Sequence, residues 1–220
     1  MLKKPSFEIE QKYAKKSYLL MGVDEVGMGA LAGPVFAAVF TINNWFDKSA
    51  LKQLENMEIN DSKQLSYKKR EHINELLQKT KAQCYIGESS VLEINTVGIR
   101  KARNRAVRRA VENFLESIKI ENPIILLCDA FGCPYLPSIP KQNQVPIIKG
   151  DSECISIAAA SILAKVARDR YMEELHEMYP QYGWKENKGY GTRTHIEAIR
   201  KYGVTKHHRK MFVDGIISIK

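Results

Sequence analysis

The chain has 220 residues, of which 44% are hydrophobic and 27% are charged, a composition typical of a soluble globular protein. Its 34 basic and 25 acidic side chains give a formal net charge of +9, which favours a polyanionic partner such as nucleic acid over an acidic small molecule. No apolar run approaches the roughly 18 residues of a membrane span, and charged residues interrupt the N-terminal region before a signal sequence could form. We therefore expect a cytoplasmic protein with no membrane partner.

The cysteine pattern argues against a metal site built from sulfur. Cys84, Cys128, Cys133 and Cys154 have no CxxC spacing, and no histidine lies at ligand distance from them in the sequence. We expect reduced, mostly buried thiols and no zinc site.

Strand and helix patterns alternate along the chain. Predicted strands cover residues 18–23, 35–42, 84–90, 124–128 and 145–148. Predicted helices are one capped by Ser66, one over 99–118, one from Asp151 to the break at Pro180, and one over about 194–202. This order predicts an α/β fold in which helices flank a mixed central sheet, followed by a small helical extension.

The predicted helix over 99–118 is the clearest amphipathic segment. Its apolar residues recur at steps of three and four and form one face. The opposite face carries a row of basic side chains: Arg100, Lys101, Arg103, Arg105, Arg108 and Arg109. We interpret this row mainly as a solvated face, and the alternative that some of these arginines contact phosphate stays open.

Carboxylates follow three of the predicted strands. Asp24 and Glu25 come directly after the first strand and precede a glycine-rich stretch. Asp129 follows the fourth strand, and Asp151 follows the fifth at the start of a helix. Taken singly, each acid is explained as a strand end or a helix cap. Three strand ends that each offer an acid, with no arginine adjacent in sequence, are harder to explain in that way, because converging carboxylates repel one another.

Divalent metal ions would relieve that repulsion. Two ions about 4 Å apart can bind both the attacking water and the leaving oxygen of a phosphodiester. Oxygen ligands without nearby cysteine or histidine favour Mg²⁺ or Mn²⁺ over Zn²⁺. Because metal-bound water supplies hydroxide near neutral pH, no histidine base is needed, and we assign His195, His207 and His208 to packing, capping or phosphate contact.

Six segments in this order resemble the ribonuclease HII family over nearly the whole chain. They are GVDEVGMGALAGPV (22–35), NDSKQLSYKKRE (60–71), LLCDAFG (126–132), KGDSECISIAAASILAKVARDRYM (149–172), GYGTRTHIEAIRKYG (189–203) and HHRKMF (207–212). The resemblance implies a ribonuclease H-like catalytic domain over residues 1–176, with an N-terminal extension over 1–16. It also implies a helical substrate-binding extension over 177–220.

The resemblance implies an activity and a catalytic set. The enzyme would be a metal-dependent endoribonuclease that hydrolyses the RNA strand of RNA/DNA hybrids. It would also cut 5′ of single ribonucleotides in duplex DNA, leaving 5′-phosphate and 3′-hydroxyl ends. By motif, four acids would hold two Mg²⁺ or Mn²⁺ ions: Asp24, Glu25, Asp129 and Asp151. We expect a monomer.

The resemblance also implies substrate-binding residues. Gly27 and Gly29 would let the backbone approach the 2′-hydroxyl, the group that distinguishes RNA from DNA. The family usually has arginine between these glycines, whereas this chain has Met28. Lys63 matches a position that contacts phosphate, and Tyr190 matches a tyrosine that stacks near the ribonucleotide. We interpret Lys149, Lys165, Lys188 and Arg193 as rim charges that add salt-dependent affinity.

Two alternatives compete with this prediction. The sister family, ribonuclease HIII, has a substrate-binding domain ahead of its core, and only 23 residues precede Asp24 here. A non-catalytic nucleic-acid-binding module would explain the net charge, but acids gathered in one place would weaken its binding to a polyanion. Asp169 lies too far along its helix from Asp151 to share a metal, and we expect it to be structural.

Overall fold

The computed structural model describes residues 4–14, 18–117, 122–129 and 135–217. Within these ranges the core is a sheet of five strands in the order β3-β2-β1-β4-β5. The strands are β1 (Leu19–Val26), β2 (Val35–Thr41), β3 (Gln83–Ser89), β4 (Ile124–Asp129) and β5 (Gln144–Ile147). β1 pairs antiparallel with β2 and parallel with β4, which confirms the predicted mixed sheet.

Helices flank the sheet and form most of the C-terminal region. They are α1 (Glu8–Tyr13), α2 (Lys48–Asn56), α3 (Tyr67–Gln78), α4 (Val91–Val97), α5 (Ile99–Ser117), α6 (Gly150–Glu153), α7 (Ile155–Met178), α8 (Trp184–Asn187), α9 (Arg193–Tyr202) and α10 (Lys210–Ile217). Ser66 caps α3 as predicted, and α5 and α9 confirm two further predicted helices. Residue 118, the predicted end of α5, lies outside the described ranges. In the described part of the chain, none of the helices has the length and apolar character needed to cross a membrane.

The helix predicted from Asp151 is instead two helices. α6 ends at Glu153, and Cys154 is extended, with φ −117° and ψ 128°, before α7 begins. Ser6 from the N-terminal segment forms a parallel bridge with Cys154. The backbone breaks there because a distant segment of the chain holds it in an extended conformation.

The helices α7 and α5 pack on opposite faces of the sheet. Leu20 joins the hydrophobic cluster on the α7 face, whereas Met21 and Val23 join the cluster on the α5 face. Gly22 has no room for a side chain, because a Cβ atom there would lie 2.4 Å from the carbonyl carbon of Ser156. This contact brings α7 directly against β1.

The basic face of α5 is less solvated than predicted. Arg103 is 7% exposed and points toward the sheet. Arg105 and Arg109 both pair with Glu93 of α4. The prediction of a solvated face is therefore wrong for Arg103, because a carboxylate on β1 lies within reach of its guanidinium.

The C-terminal residues form a third hydrophobic cluster beside the end of α7. Trp184 is fully buried and stacks on Tyr182 with 5.0 Å between ring centroids. His195 and His208 are buried against the Trp184 ring, and the His207 ring also contacts it. All three histidines thus take the packing role expected for them.

The cysteines differ in oxidation state. Cys84 and Cys154 are thiols, whereas Cys128 is disulfide-bonded. The expectation of reduced cysteines is therefore wrong for Cys128. Cys133 lies outside the described ranges.

Candidate active site

The predicted catalytic acids come from β1, β4 and α6. Asp24 and Glu25 lie inside β1 rather than after it, because pairing with β2 continues through both residues to Val26. Asp129 is the last residue of β4, and Asp151 lies in α6, which follows β5. Because β1 and β4 are parallel neighbours, their C-terminal ends meet at one edge of the sheet.

The side chains of Asp24 and Glu25, both in β1, lie on opposite faces of the sheet. Successive side chains of a strand alternate between its faces. Asp24 accepts a hydrogen bond from Ser161 of α7, whereas Glu25 pairs with Arg103 of α5. The adjacent carboxylates are thus held from the two sides of the sheet.

A cavity of about 1070 Å³ opens at this edge. Three of the predicted acids line it: Asp24, Glu25 and Asp129. All the predicted substrate-binding residues also line it: Gly27, Met28, Gly29, Lys63 and Tyr190. The rest of its lining is Val26, Ser62, Arg100, Arg103, Asn104, Ser161 and Lys165. The cavity therefore brings together residues that the sequence places on separate elements.

Asp24 carries the clearest electrostatic perturbation of the cavity. Burial raises its pKa to about 8, and the neighbouring charges of Glu25 and Asp129 push the pKa in the same direction. The hydrogen bond from Ser161 opposes this rise only in part. Asp24 therefore sits where negative charge is in excess.

The other acids are engaged by protein groups. The Lys63 ammonium lies 3.0 Å from Asp151 Oδ2, and the Gly150 N–H donates to Asp129 Oδ1 at 2.9 Å. The Arg103 guanidinium lies 3.0 Å from Glu25 Oε2. Within the described ranges, no three Asp, Glu, His or Cys side chains form a group that could hold a metal ion as they stand.

Two buried arginines shape the glycine-rich loop after β1. Arg209 Nη1 donates to the carbonyl oxygens of Gly27 at 2.6 Å and Met28 at 3.2 Å. Gly27 has φ 95°, and a Cβ atom there would lie 2.4 Å from Arg168 Nε. By contrast, a Cβ atom on Gly29 would meet no other atom within 4 Å. Arg168 and Arg209 thus fix the loop at Gly27 and Met28, whereas the space beside Gly29 is open.

Tyr190 is held from both its ring and its backbone. The Arg168 guanidinium carbon lies 5.2 Å from the ring centroid, and the Lys165 ammonium lies 6.0 Å from it. On the backbone side, Tyr190 O lies 2.9 Å from Nδ1 of the buried His195. The C-terminal cluster therefore fixes the position of this tyrosine at the cavity.

Sequence reasoning missed several residues of the site. Arg168 and Arg209 were not singled out, although they bind the loop carbonyls, and Arg103 was read as part of a solvated face. Ser161, which donates a hydrogen bond to Asp24, was also missed. The available signal was their position inside the segments that resemble the family, since neither charge nor periodicity marks a buried arginine. Asp169, expected to be structural, is buried and pairs with Lys165 and Arg70.

Solved structures share this architecture. Ribonuclease HII of Archaeoglobus fulgidus, solved in complex with PCNA, aligns with a TM-score of 0.66 and 23% identity over 87% of this chain and 93% of its own. Ribonuclease H2 of Pyrococcus horikoshii aligns with a TM-score of 0.66 and 24% identity over 90% of this chain and 97% of its own. A ribonuclease HIII solved with Mn²⁺, named Bst-RNase HIII, aligns with a TM-score of 0.72 and 18% identity over 93% of this chain and 71% of its own. At these identities the likeness shows the ribonuclease H-like fold.

Sequence comparison gives the family. Residues 21–214 match the family described as Ribonuclease HII. Ribonuclease HII of Wolbachia sp. subsp. Brugia malayi is 44% identical over 218 residues, which cover 98% of this chain and 97% of that protein. Ribonuclease HII of Caldanaerobacter subterraneus subsp. tengcongensis is 43% identical over 210 residues, which cover 93% of this chain and 80% of that protein. The chain therefore belongs to the ribonuclease HII family of ribonuclease H-type hydrolases.

Proposed function

We propose that the protein is a metal-dependent endoribonuclease that hydrolyses the RNA strand of RNA/DNA hybrids. We extend the proposal to cleavage 5′ of single ribonucleotides in duplex DNA, with 5′-phosphate and 3′-hydroxyl products. The observation that carries it is the shared cavity, in which Asp24, Glu25 and Asp129 lie beside Lys63 and Tyr190. Three of the four predicted catalytic acids thus border the same space as the predicted substrate-binding residues, and Asp151, which is not part of the lining, contacts it through Lys63.

The donor set fits hard divalent cations such as Mg²⁺ or Mn²⁺. All four predicted ligands are carboxylates. Burial, together with the charges of Glu25 and Asp129, raises the pKa of Asp24 and makes its ionised form costly unless a cation accompanies it. Asp24, Glu25, Asp129 and Asp151 would hold the ions, which when bound would activate water and stabilise the leaving oxygen. The related Bst-RNase HIII was solved in complex with Mn²⁺.

Two of the predicted metal ligands are paired with protein cations. Lys63 pairs with Asp151, and Arg103 pairs with Glu25. The Lys63 side chain is 77% exposed, so it can leave Asp151 for a substrate phosphate without unfolding the protein. Lys63 would then exchange one anion for another when the hybrid binds.

Recognition of RNA would fall to the open end of the loop and to Tyr190. Gly29 leaves space beside its backbone for a ribose 2′-hydroxyl. Tyr190 has a fixed ring position from which it can contact the sugar or base of the ribonucleotide. Residues 177–220, which supply Tyr190, would act as the substrate-binding extension.

Cleavage of a labelled RNA/DNA hybrid with Mg²⁺ or Mn²⁺ tests the proposal. The wild-type protein should cut the RNA strand. Asp24→Asn and Asp129→Asn should abolish cutting while hybrid binding survives, because both remove a proposed metal ligand. Glu116→Gln, an exposed acid on α5, is the matched control and should keep full activity. Full activity in the Asp24→Asn protein would refute the assignment.

A second duplex tests the finer specificity. A DNA duplex with one embedded ribonucleotide should be cut on its 5′ side. If the protein cuts long hybrids but not this duplex, its specificity matches the sister family, ribonuclease HIII, or reflects Met28 at the loop.

A further inference from the structure

Part of the cavity lining belongs to none of the predicted substrate contacts. Those contacts are Lys63, Tyr190 and the loop over Gly27–Gly29. Three residues of α5 also line the cavity: Arg100, Arg103 and Asn104. We call these three residues the α5 wall.

The α5 wall is one continuous surface of the helix. Residues three and four positions apart on a helix are neighbours, so Arg103 and Asn104 lie beside Arg100. Arg103 is anchored by Glu25 at 3.0 Å, and its Nη1 donates to Asn104 Oδ1 at 3.4 Å. The ion pair with Glu25 therefore holds the guanidinium of Arg103 at the cavity.

Arg100 is the cation of the wall that is available to a ligand. It is exposed and has no hydrogen-bond or ion-pair partner among the residues that the structure describes. Three other arginines of the helix are engaged: Arg105 and Arg109 pair with Glu93, and Arg108 donates to Tyr135 O. Arg100 therefore differs from these three arginines, because its guanidinium lies at the cavity without a protein partner among the described residues.

The chemistry of the cavity calls for such a cation. A nucleic-acid phosphate that approaches Asp24, Glu25 and Asp129 meets three carboxylates, which repel it. Met28, the side chain of the loop, is apolar and packs against the hydrophobic cluster on the α5 face. Met28 offers no charge, so Arg100 is the lining residue of α5 that can add to the attraction expected from Lys63 and Lys165.

We propose that the α5 wall binds a backbone phosphate of the nucleic-acid substrate, with Arg100 contacting the phosphate and Arg103 holding Glu25 and the wall in place. The proposal rests on the proposed function, since it assumes a nucleic-acid substrate. A phosphate contact carries no base sequence information, so the wall would add affinity and orientation equally for every sequence.

Salt-dependent binding tests this assignment. Affinity for a fluorescein-labelled RNA/DNA hybrid is measured by anisotropy at several salt concentrations with Mg²⁺, on the Asp24→Asn background. Arg100→Ala should weaken binding about three- to tenfold and reduce the slope of log K against log salt by roughly one, because one phosphate contact is lost. Arg100→Lys should recover most of the affinity. Lys101→Ala, which removes an exposed cation outside the cavity lining, should leave the slope unchanged.

A second variant addresses Arg103. Arg103→Lys keeps a positive charge beside Glu25 but loses the planar guanidinium group. In an otherwise wild-type protein, this variant should have a higher KM for the hybrid and a smaller change in kcat. Its melting temperature, measured in parallel, shows whether the protein remains folded.

The outcomes separate the two proposals. If Arg100→Ala and Lys101→Ala have the same affinity and slope as the parent, the α5 wall is refuted even where the wild-type protein cuts hybrids. Cleavage by the Asp24→Asn parent would instead overturn the proposed function, whatever the slopes are.

Discussion

The cavity and the C-terminal cluster differ in how well their buried polar groups are compensated. At the cavity, Asp24 is buried beside other carboxylates, and its pKa rises to about 8. In the cluster, His195 Nε2 accepts from Trp184 Nε1–H at 3.0 Å and its Nδ1 lies 2.9 Å from Tyr190 O. The cluster thus satisfies both ring nitrogens of His195, whereas the cavity keeps a charge imbalance that a bound cation can relieve.

The two regions are linked through a single residue. Tyr190 presents its ring to the cavity and its carbonyl oxygen to His195. The hydrogen-bonded C-terminal cluster therefore supports Tyr190, whose side chain lines the cavity. Changes in the cluster should lower stability, whereas removal of charge at the cavity should raise it.

Trp184→Ala should give the largest effect. This fully buried side chain fills the third hydrophobic cluster and donates to His195. We expect a loss of about 3–5 kcal/mol in the free energy of unfolding, measured by urea denaturation. Met178→Ala, at a position that is 63% exposed, should change it by less than about 0.5 kcal/mol. Equal losses for the two variants would contradict the role of the cluster.

Asp24→Asn should have the opposite sign. Without divalent metal, burial raises the pKa of Asp24 to about 8, so the folded state keeps this carboxyl protonated at neutral pH while the unfolded chain ionises it, and the substitution removes the cost of that difference. We expect a gain of about 1–2 kcal/mol at neutral pH in EDTA, which corresponds to a rise in Tm of about 2–4 °C per kcal/mol. The exposed-acid variant Glu116→Gln should leave Tm unchanged. A lower Tm for Asp24→Asn would mean that the carboxylate is compensated within the protein.

The contrast between the regions also limits what sequence could predict. The strands were predictable because β1, β2 and β4 are buried on both faces and therefore appear as continuous apolar runs. The α4 helix was predictable but missed: Ser90 and Glu93 form a capping box, a local pattern that the sequence displays.

Contacts between distant segments were not predictable from local patterns. Arg103 has the same spacing and charge as its neighbours on α5, and only the fold brings it to Glu25. The break at Cys154 depends on Ser6, which arrives from the other end of the chain. The metal-ligand roles of the four acids remain predictions, since the described residues form no preassembled metal-binding group.

Acidification should weaken the cluster and leave the sheet core less affected. Burial lowers the pKa of His208 to about 4, and the neighbouring His195 and His207 push the pKa in the same direction. Because the unfolded chain binds this proton more tightly, the stability present above pH 6.5 is lost as pH falls toward 4. This histidine alone should lower Tm by roughly 6–12 °C across that range, while the raised pKa of Asp24 acts in the opposite direction when no divalent metal is bound.

Glu10 should oppose this trend. Burial raises its pKa to about 6, so the folded state favours its protonated form, and its contribution to stability grows as pH falls through 6 toward 4.5. Glu10→Gln should therefore steepen the loss of Tm on acidification, whereas His208→Gln should flatten it. Parallel pH profiles for the two variants and the wild type would contradict both assignments.

Met28→Arg should give the smallest effect and bears directly on the cavity. The new guanidinium would restore the arginine usual in the family, but it would enter a space already lined by Arg100 and Arg103. Attraction for phosphate would rise while repulsion among the arginines offsets part of the gain, so we expect less than about a threefold increase in hybrid affinity. On the Arg100→Ala background the same substitution should raise affinity more, because less repulsion remains. Equal gains on both backgrounds, measured by anisotropy, would show that position 28 and the α5 wall act on separate phosphates.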